Sequence, residues 1–263
     1  RTNLEQIESL IQEIKQNYSF LRGANYFVTS AETGQGINEL RHYLANLPEL
    51  SDTQKPFRYA IDRVFNVKGA GTVVTGTAFS GTVKVNDELY LSTGQKVLVK
   101  AIHALNLSSE QCIAGQRLAL ILNADLDRTP MKRGDWLLQN EPLPPTDRIS
   151  VQILAEVPLN ESQPVHIYHG ASRTTGKLTL LQGKNAAKND RTLAEIILDS
   201  PLFLAFGDKL ILRSGDTKTL IAGSRVLEIN SPKRHKRTEV RLNFLANLAL
   251  AENASQRIAN TLQ

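Results

Sequence analysis

The sequence contains one cysteine, Cys112, and no run of about eighteen apolar residues that could form a membrane-spanning helix. A single cysteine cannot form an intramolecular disulfide, so a reducing cytoplasm is the expected compartment and no membrane partner is predicted. The chain begins with Arg1 and shows neither an initiator methionine nor a signal-peptide pattern. We therefore expect an internal piece of a longer cytoplasmic protein.

Complete nucleotide-binding and metal-binding motifs are also missing. The stretch ASRTTGKL at 171–178 ends like a phosphate loop, but Leu178 stands where Ser or Thr would bind magnesium. Because its second half alternates like a strand, we interpret it as a turn without nucleotide chemistry. An Asn-Lys-x-Asp sequence does not occur, and the five histidines have no Cys or carboxylate at ligand spacing. We predict no metal site and no catalytic residue in this chain.

Positive charge is concentrated at one place. The chain has a net charge of +5, and Lys233, Arg234, Lys236 and Arg237 supply four positive charges with no acid among them, which leaves +1 for the rest. A solvated linker between domains and a patch that neutralises RNA phosphates both explain this cluster, and the sequence does not decide between them.

The most informative stretch is FRYAIDRVFNVKGAGTVVTGTAFSG at 57–81. Residues that suit a half-buried strand are interrupted by Gly69, Gly71, Gly76 and Gly81, where a sheet can bend or bulge. The Gly-Ala-Gly sequence invites a phosphate-loop interpretation, but another strand pattern follows it where a helix would have to hold the anion. The stretch therefore predicts the first strands of a small closed barrel.

The rest of the chain has three further parts. Before the barrel, a Thr2/Glu5 capping box, apolar residues at helical spacing, a short strand at 26–29 and a second helix indicate an α/β segment too small to own a core. After it, the linker EPLPP at 141–145 separates two all-β regions with frequent turn signals. From residue 239 onward, leucines suggest a helix that ends before it has a partner. In the second β region, the predicted strands are Ile149–Ala155, Val165–His169, Lys177–Leu181, Leu193–Leu198, Lys209–Arg213 and Arg225–Ile229.

Position by position, the 57–81 stretch resembles the opening of the second domain of translational GTPases. The order of segments along the chain resembles most closely the selenocysteine-specific elongation factors within that family. GDKLILRS at 207–214 and LIAGSRVLEINSP at 220–232 are similar to the closing strands of the third domain, although Ala222-Gly223-Ser224 departs from the usual glycine-rich run.

The resemblance implies a mainly β fold of two consecutive barrels, preceded by the α/β end of a GTPase domain and followed by a helical segment. It places the GTPase remnant at 1–50, domain II at 56–142, domain III at 147–231, and the basic junction with the first helix of a winged-helix RNA-binding extension at 232–263.

The resemblance also assigns site residues. The loop VTSAETGQGINEL at 28–40 is similar to the last guanine-contacting loop of the GTPase domain, in which Ser30 and Ala31 would present backbone amides to the base and Glu32 would belong to the same nucleotide-binding loop. The pocket for the amino acid on the transfer RNA corresponds to Asp62, Arg63 and Arg117. Asp62 and Arg63 are adjacent in a strand, so they should face opposite sides unless a bulge intervenes. Ordinary solvated strand charges remain the alternative.

The implied activity belongs to the whole protein. It would bind GTP with Mg²⁺, deliver selenocysteyl-tRNA to the ribosome at UGA codons, and bind an insertion hairpin of the messenger RNA through C-terminal modules. We expect a monomer. Because this chain lacks the phosphate loop and the Asn-Lys-x-Asp motif, we expect no bound nucleotide and no GTP hydrolysis from it alone.

Two alternatives stay open. One is another translational GTPase, such as elongation factor Tu or the gamma subunit of an initiation factor, although the sequence beyond Arg237 favours neither. The other is a β-barrel module that binds RNA or protein and whose parent has no nucleotide chemistry.

Overall fold

The computed structural model describes residues 4–18, 21–48, 52–67, 71–104, 107–124, 128, 130–251 and 256. Thr2 of the predicted capping box and Gly69 lie outside these residues. The chain divides into two compact units, Arg1–Leu50 and Ser51–Gln263.

The first unit contains two helices, α1 (Leu4–Asn17) and α2 (Ile37–Ala45). All its residues with a described side-chain environment are at least partly exposed, which agrees with a segment that lacks its own core. The predicted strand at 26–29 is wrong, because these residues form no ladder and no described residue pairs with them. Gly36 is the N-cap residue of α2 with φ 69°, and a β carbon there would lie 2.1 Å from the carbonyl oxygen of Val28.

The second unit begins with a β-barrel. The pairings close a ring in the order β4, β9, β1, β2, β8 and β5, with β6 added at the β5 edge and β3 paired to β7. Inward residues from these strands form one apolar core that includes Phe57, Tyr59 and Leu120. The strands are β1 (Arg58–Val67), β2 (Gly71–Ser80), β3 (Thr82–Lys84), β4 (Glu88–Leu91), β5 (Lys96–Ala104), β6 (Leu107–Ser109), β7 (Gln111–Ile113), β8 (Arg117–Asn123) and β9 (Trp136–Leu138).

A second closed barrel follows, in the order β10, β15, β13, β12, β16 and β17. The two-barrel prediction is confirmed, and the six predicted strands are all present, each longer than expected. Residues 172–177 belong to strand β13, so the predicted turn there is wrong beyond Ala171. The strands are β10 (Thr146–Ala155), β11 (Leu159–Asn160), β12 (Ser162–His169), β13 (Ser172–Leu180), β14 (Asn185–Ala186), β15 (Arg191–Leu202), β16 (Lys209–Ser214) and β17 (Leu220–Ile229).

Helix α3 (Glu239–Leu250) packs against the outside of the second barrel. Leu245 and Leu248 are buried there in a cluster with Leu181, Leu193 and Leu227. The expectation of a helix without a partner was therefore wrong. The sequence pattern shows the apolar residues of the helix but not the apolar patch that the barrel presents on its outer surface.

A buried ionic cluster joins the two barrels. Arg58 of the first barrel donates two hydrogen bonds, of 2.8 and 2.9 Å, to the carboxylate of Asp208. His169 Nε2 lies 3.2 Å from the same carboxylate and stacks on Trp136 with ring centroids 5.0 Å apart. Charge pairing and ring stacking thus stabilise this interface, although Arg58 Nε and His169 Nδ1 are buried there without a hydrogen-bond partner among the described residues.

Candidate functional site

A β-bulge lies at Asp62. The antiparallel β1 and β2 ladder pairs Ile61 with Gly76 and Arg63 with Thr75, which leaves Asp62 as the extra residue. A bulge bends the strand and redirects side chains, so simple alternation does not apply at Asp62 and Arg63. This was the condition under which both could serve one site.

The carboxylate of Asp62 holds Arg117 across three strands. Arg117 donates from Nη1 to Asp62 Oδ2 and from Nη2 to Oδ1, the latter at 3.2 Å. Thr75, on the strand between them, donates its hydroxyl to Asp62 Oδ1 at 2.8 Å. Arg117 is the first residue of β8, and its side chain is 55% exposed against 26% for Asp62. The carboxylate is thus the anchored partner and the guanidinium faces solvent.

The electrostatics of the pair agree with this geometry. The hydrogen bond from Arg117 lowers the pKa of Asp62 most; burial acts against it, and Thr75 and the nearby charge of Arg63 add to the lowering. The pKa of Arg117 is raised by the same carboxylate. Asp62 is therefore ionised, and Arg117 charged, throughout the physiological pH range.

Arg63 completes the group of predicted pocket residues. Its side chain is exposed, and no described carboxylate forms an ion pair with it. Since its charge acts on the pKa of Asp62, it lies within electrostatic reach of the pair. The structure therefore brings Asp62 and Arg117 into contact and leaves Arg63 beside them as an unpaired cation.

Two supporting residues escaped the sequence reasoning. Besides Thr75, buried Tyr59 directs its hydroxyl at the carbonyl of Leu118, 2.9 Å away, next to Arg117. Burial raises the pKa of Tyr59, and the charge of Asp62 adds to this, so the phenol stays protonated. Tyr59 looked like an ordinary strand residue because its role depends on which strands become neighbours.

The backbone N–H groups of the three residues in the predicted guanine loop differ in their hydrogen bonding. The N–H group of Ser30 donates to the carbonyl of Gln35 at 3.0 Å, and the Ser30 hydroxyl accepts from the N–H group of Thr33. Among the described residues, no group accepts from the N–H groups of Ala31 and Glu32. Ser30 therefore uses its backbone and side chain within the loop, and its assignment to a guanine base stays a prediction. The free donors are those of Ala31 and Glu32.

The four cations of the basic junction also fall into two groups, of which Lys236 and Arg237 form ion pairs. Lys236 Nζ lies 2.6 Å from Glu195, a carboxylate that is 1% exposed and also binds Arg148. Arg237 donates to Glu161 and to the carbonyl of Leu180. These two cations hold the chain against the second barrel, and their assignment as RNA contacts stays a prediction.

The other two junction cations, Lys233 and Arg234, are exposed and form no ion pair with any described residue. In the described parts of the chain, no cluster of three or more His, Cys, Asp or Glu residues could hold a metal ion. Within the same parts, no helix is long and apolar enough to cross a bilayer.

Two six-stranded barrels in tandem, with a charged site at a bulge of the first, define the class: the paired β domains of translation elongation factors. Comparison with known families supports this. Residues 71–138 match elongation factor Tu domain 2, and residues 146–233 match the beta-barrel domain of the selenocysteine-specific elongation factor.

Individual relatives agree. The chain is 93% identical, over all of its length, to 42% of the selenocysteine-specific elongation factor of Haemophilus influenzae. It is 41% identical, over 99% of its length, to 41% of the corresponding Escherichia coli protein. A crystal structure of bacterial selenocysteine-specific elongation factor EF-Sec matches with a TM-score of 0.75 at 25% identity, over 98% of this chain and 43% of that one.

The chain belongs to the selenocysteine-specific elongation factor family. It spans about two fifths of the length of the curated relatives that it matches.

Proposed function

We propose that this chain holds the aminoacyl end of selenocysteyl-tRNA within a GTP-dependent elongation factor that delivers it to the ribosome at UGA codons. One observation carries the proposal: a partly buried carboxylate fixes the exposed guanidinium of Arg117 beside a second, unpaired cation, Arg63. Family membership narrows the ligand, and this arrangement supplies the chemistry that would recognise it.

The guanidinium of Arg117 keeps donors available for a ligand. Arginine has five N–H groups, and Asp62 accepts from Nη1 and Nη2 at the end of the fork. The edge formed by Nε and the second N–H of Nη2 has no acceptor among the described residues. That edge is a ready-made binding fork for an anion, with Arg63 adding charge.

Charge is the property that distinguishes the cognate amino acid. A selenol is ionised at neutral pH, a serine hydroxyl is not, and a cysteine thiol with a pKa of about 8.5 is mostly neutral. A pocket that recognised only size would discriminate by about 1–3 kcal/mol per methylene. Two permanent cations favour the selenolate over both neutral competitors, and Asp62 orients one of them without approaching the ligand's charge.

The test uses the full-length protein loaded with GTP. Dissociation constants for selenocysteyl-tRNA and seryl-tRNA are measured with the parent protein, with Arg117→Ala and with Arg63→Ala. We expect both variants to lose affinity for selenocysteyl-tRNA while their weak binding of seryl-tRNA changes little. Lys100→Gln removes an exposed cation elsewhere on the first barrel and serves as the control. Equal affinities in the parent protein, or an unchanged preference in Arg117→Ala, would refute the proposal.

The whole protein would bind GTP with Mg²⁺. Of the nucleotide site, the described part of this chain offers the backbone donors of Ala31 and Glu32, which fit an acceptor on a guanine base. A relative from Methanococcus maripaludis is described in complex with the GTP analogue GPPNHP. We infer that this chain alone does not hydrolyse GTP, and that the whole protein works in the cytoplasm as a monomer.

RNA contact at the basic junction is the second part of the proposal. Lys233 and Arg234 are exposed and project from a segment that Lys236 and Arg237 anchor to the barrel. A fixed backbone with two free cations suits the neutralisation of phosphates. The domain limits of 1–50, 56–142, 147–231 and 232–263, with messenger-RNA hairpin binding by modules beyond α3, complete the proposal.

A further inference from the structure

Thr75 occupies the centre of the candidate pocket without having been assigned to it. It lies on β2, opposite Arg63 of β1 and opposite Ala119 of β8, with its side chain on the outer face of the barrel. Its hydroxyl donates to Asp62 Oδ1, the same oxygen that accepts from Arg117 Nη2. One carboxylate oxygen is thus held from two sides.

We propose that Thr75 is a positioning residue for ligand discrimination, which acts by locking the Asp62 carboxylate that in turn orients the Arg117 guanidinium. This inference rests on the proposed function, since it names the residue that gives the same pocket its geometry.

Because Arg117 is exposed, the Asp62 carboxylate that orients it must be held in place by a further contact. Ion pairs between exposed side chains contribute little because two long side chains lose their freedom and solvent screens the charges. Arg117 is more than half exposed, so Asp62 can hold it only if the carboxylate itself is fixed. The backbone below is already fixed, because the hydroxyl of Tyr59 reaches the carbonyls of Leu118 and Val74. The remaining freedom is rotation of the Asp62 side chain, and the Thr75 hydrogen bond removes it.

Loss of the hydrogen bond from Thr75 to Asp62 reduces discrimination in two ways. When Asp62 is not anchored, the guanidinium of Arg117 samples several positions. Its free N–H groups then no longer point at a single anion position. The carboxylate also spends time away from the guanidinium, where its uncompensated charge repels an anionic ligand. Both effects weaken binding of an anion and leave a neutral competitor almost unaffected.

The test compares three variants in the full-length, GTP-loaded protein. Thr75→Val keeps the branched shape that suits the strand but removes the hydroxyl, and Thr75→Ser keeps the hydroxyl. Thr77→Val is the matched control, because Thr77 lies two residues away on the same face and its hydroxyl has no hydrogen-bond partner among the described residues. The ratio of dissociation constants for seryl-tRNA and selenocysteyl-tRNA is the measured preference.

We expect Thr75→Val to lower this preference about threefold to tenfold, the net effect of one ordinary hydrogen bond, because Thr75 acts on the ligand only through Asp62. Thr75→Ser and Thr77→Val should keep it. A double-mutant cycle identifies the route: in an Asp62→Asn background, Thr75→Val should cause little further loss, because the group through which it acts has already changed.

Three outcomes overturn the inference. The preference is unchanged in Thr75→Val, Thr77→Val lowers it equally, or the effects of Thr75→Val and Asp62→Asn simply add. Each of these leaves the proposed function intact as long as the parent protein discriminates and Arg117→Ala does not. A parent protein without preference refutes the proposed function itself.

Discussion

At the scale of single residues, the glycines of the 57–81 stretch are explained by close packing of strands. A β carbon on Gly76 would lie 1.9 Å from the carbonyl oxygen of Ala60 and 3.0 Å from Cζ of Tyr59. Both contacts are with β1, the strand that carries Asp62. Gly76 is therefore required because β1 and β2 approach each other closely just before the bulge.

Gly76→Ala should destabilise the first barrel by about 2 kcal/mol or more, because the added methyl group must push β1 away. Chemical denaturation, followed by the fluorescence of Trp136, measures this change. Gly223→Ala is the control, since that strand glycine has no atom within 4 Å of its β-carbon position. Equal stability of the two variants would contradict the explanation.

At the scale of elements, α3 is tied to the second barrel at both ends and in the middle. Thr238 caps its first turn, where Arg241 donates to Glu228 of β17, and Arg225 donates to the carbonyls of Ala249 and Ala251 at its last turn. Leu245 is fully buried between these ends. Capped termini and a buried apolar face together stabilise a short helix that would be marginal alone.

Leu245→Ala should loosen α3, because removal of a buried leucine side chain costs about 2–5 kcal/mol. Hydrogen exchange of residues 239–250 measures the effect, and we expect faster exchange in the helix with little change in the barrel strands. Val240→Ala, at a position that is 81% exposed, should leave exchange unchanged. Equal protection of α3 in both variants would show that the helix does not depend on this contact.

The basic junction gives a second prediction at this scale. RNA affinity falls with salt along a line whose slope is the change in log association constant per unit of log salt concentration. Replacing Lys233 and Arg234 by glutamine should make this slope shallower by about 0.7–0.9 per charge removed. Replacing Lys236 and Arg237 should leave the slope unchanged but speed hydrogen exchange in α3. The slope is measured from dissociation constants over a series of salt concentrations. If neither double replacement alters the slope, the junction is only a structural linker.

At the scale of the whole molecule, the buried carboxylate of Asp208 is bound by residues of both barrels, Arg58 of the first and His169 of the second. Burial alone would raise the pKa of Asp208, but hydrogen bonds from His169 and Arg58 hold it at about 2. A carboxyl group with a lowered pKa in the folded state contributes stability above its unfolded pKa of about 3.9. That contribution is lost as the pH falls from about 4 towards 2, when the folded carboxylate is protonated.

Asp208→Asn should therefore cost about 2 kcal/mol at neutral pH, and the difference from the parent protein should shrink as the pH is lowered below about 4. Denaturant unfolding at several pH values measures both stabilities. Asp147→Asn, at an exposed position in the second barrel, should show no such dependence. A difference that stays constant with pH would place the stabilisation elsewhere.

Much of this molecule was determined by the sequence alone. Alternating apolar residues and turn signals predicted both barrels, because a strand with one buried face requires a two-residue period wherever it lies. The resemblance to translational GTPases indicated Asp62, Arg63 and Arg117 as a group. Local patterns cannot show partners, however, so the strand at 26–29 was predicted wrongly, and the helix after residue 238 was predicted correctly but without its packing partner.

Only the tertiary structure decided how those residues are used. The bulge at Asp62, the hydroxyl of Thr75 above it and that of Tyr59 below depend on the register of three strands that meet from distant parts of the chain. The same holds for Lys236 and Arg237, which the sequence groups with their neighbours but which form ion pairs with Glu195 and Glu161 of the second barrel. Charge and periodicity are properties of a sequence, whereas the choice of ionic partner is set by long-range geometry.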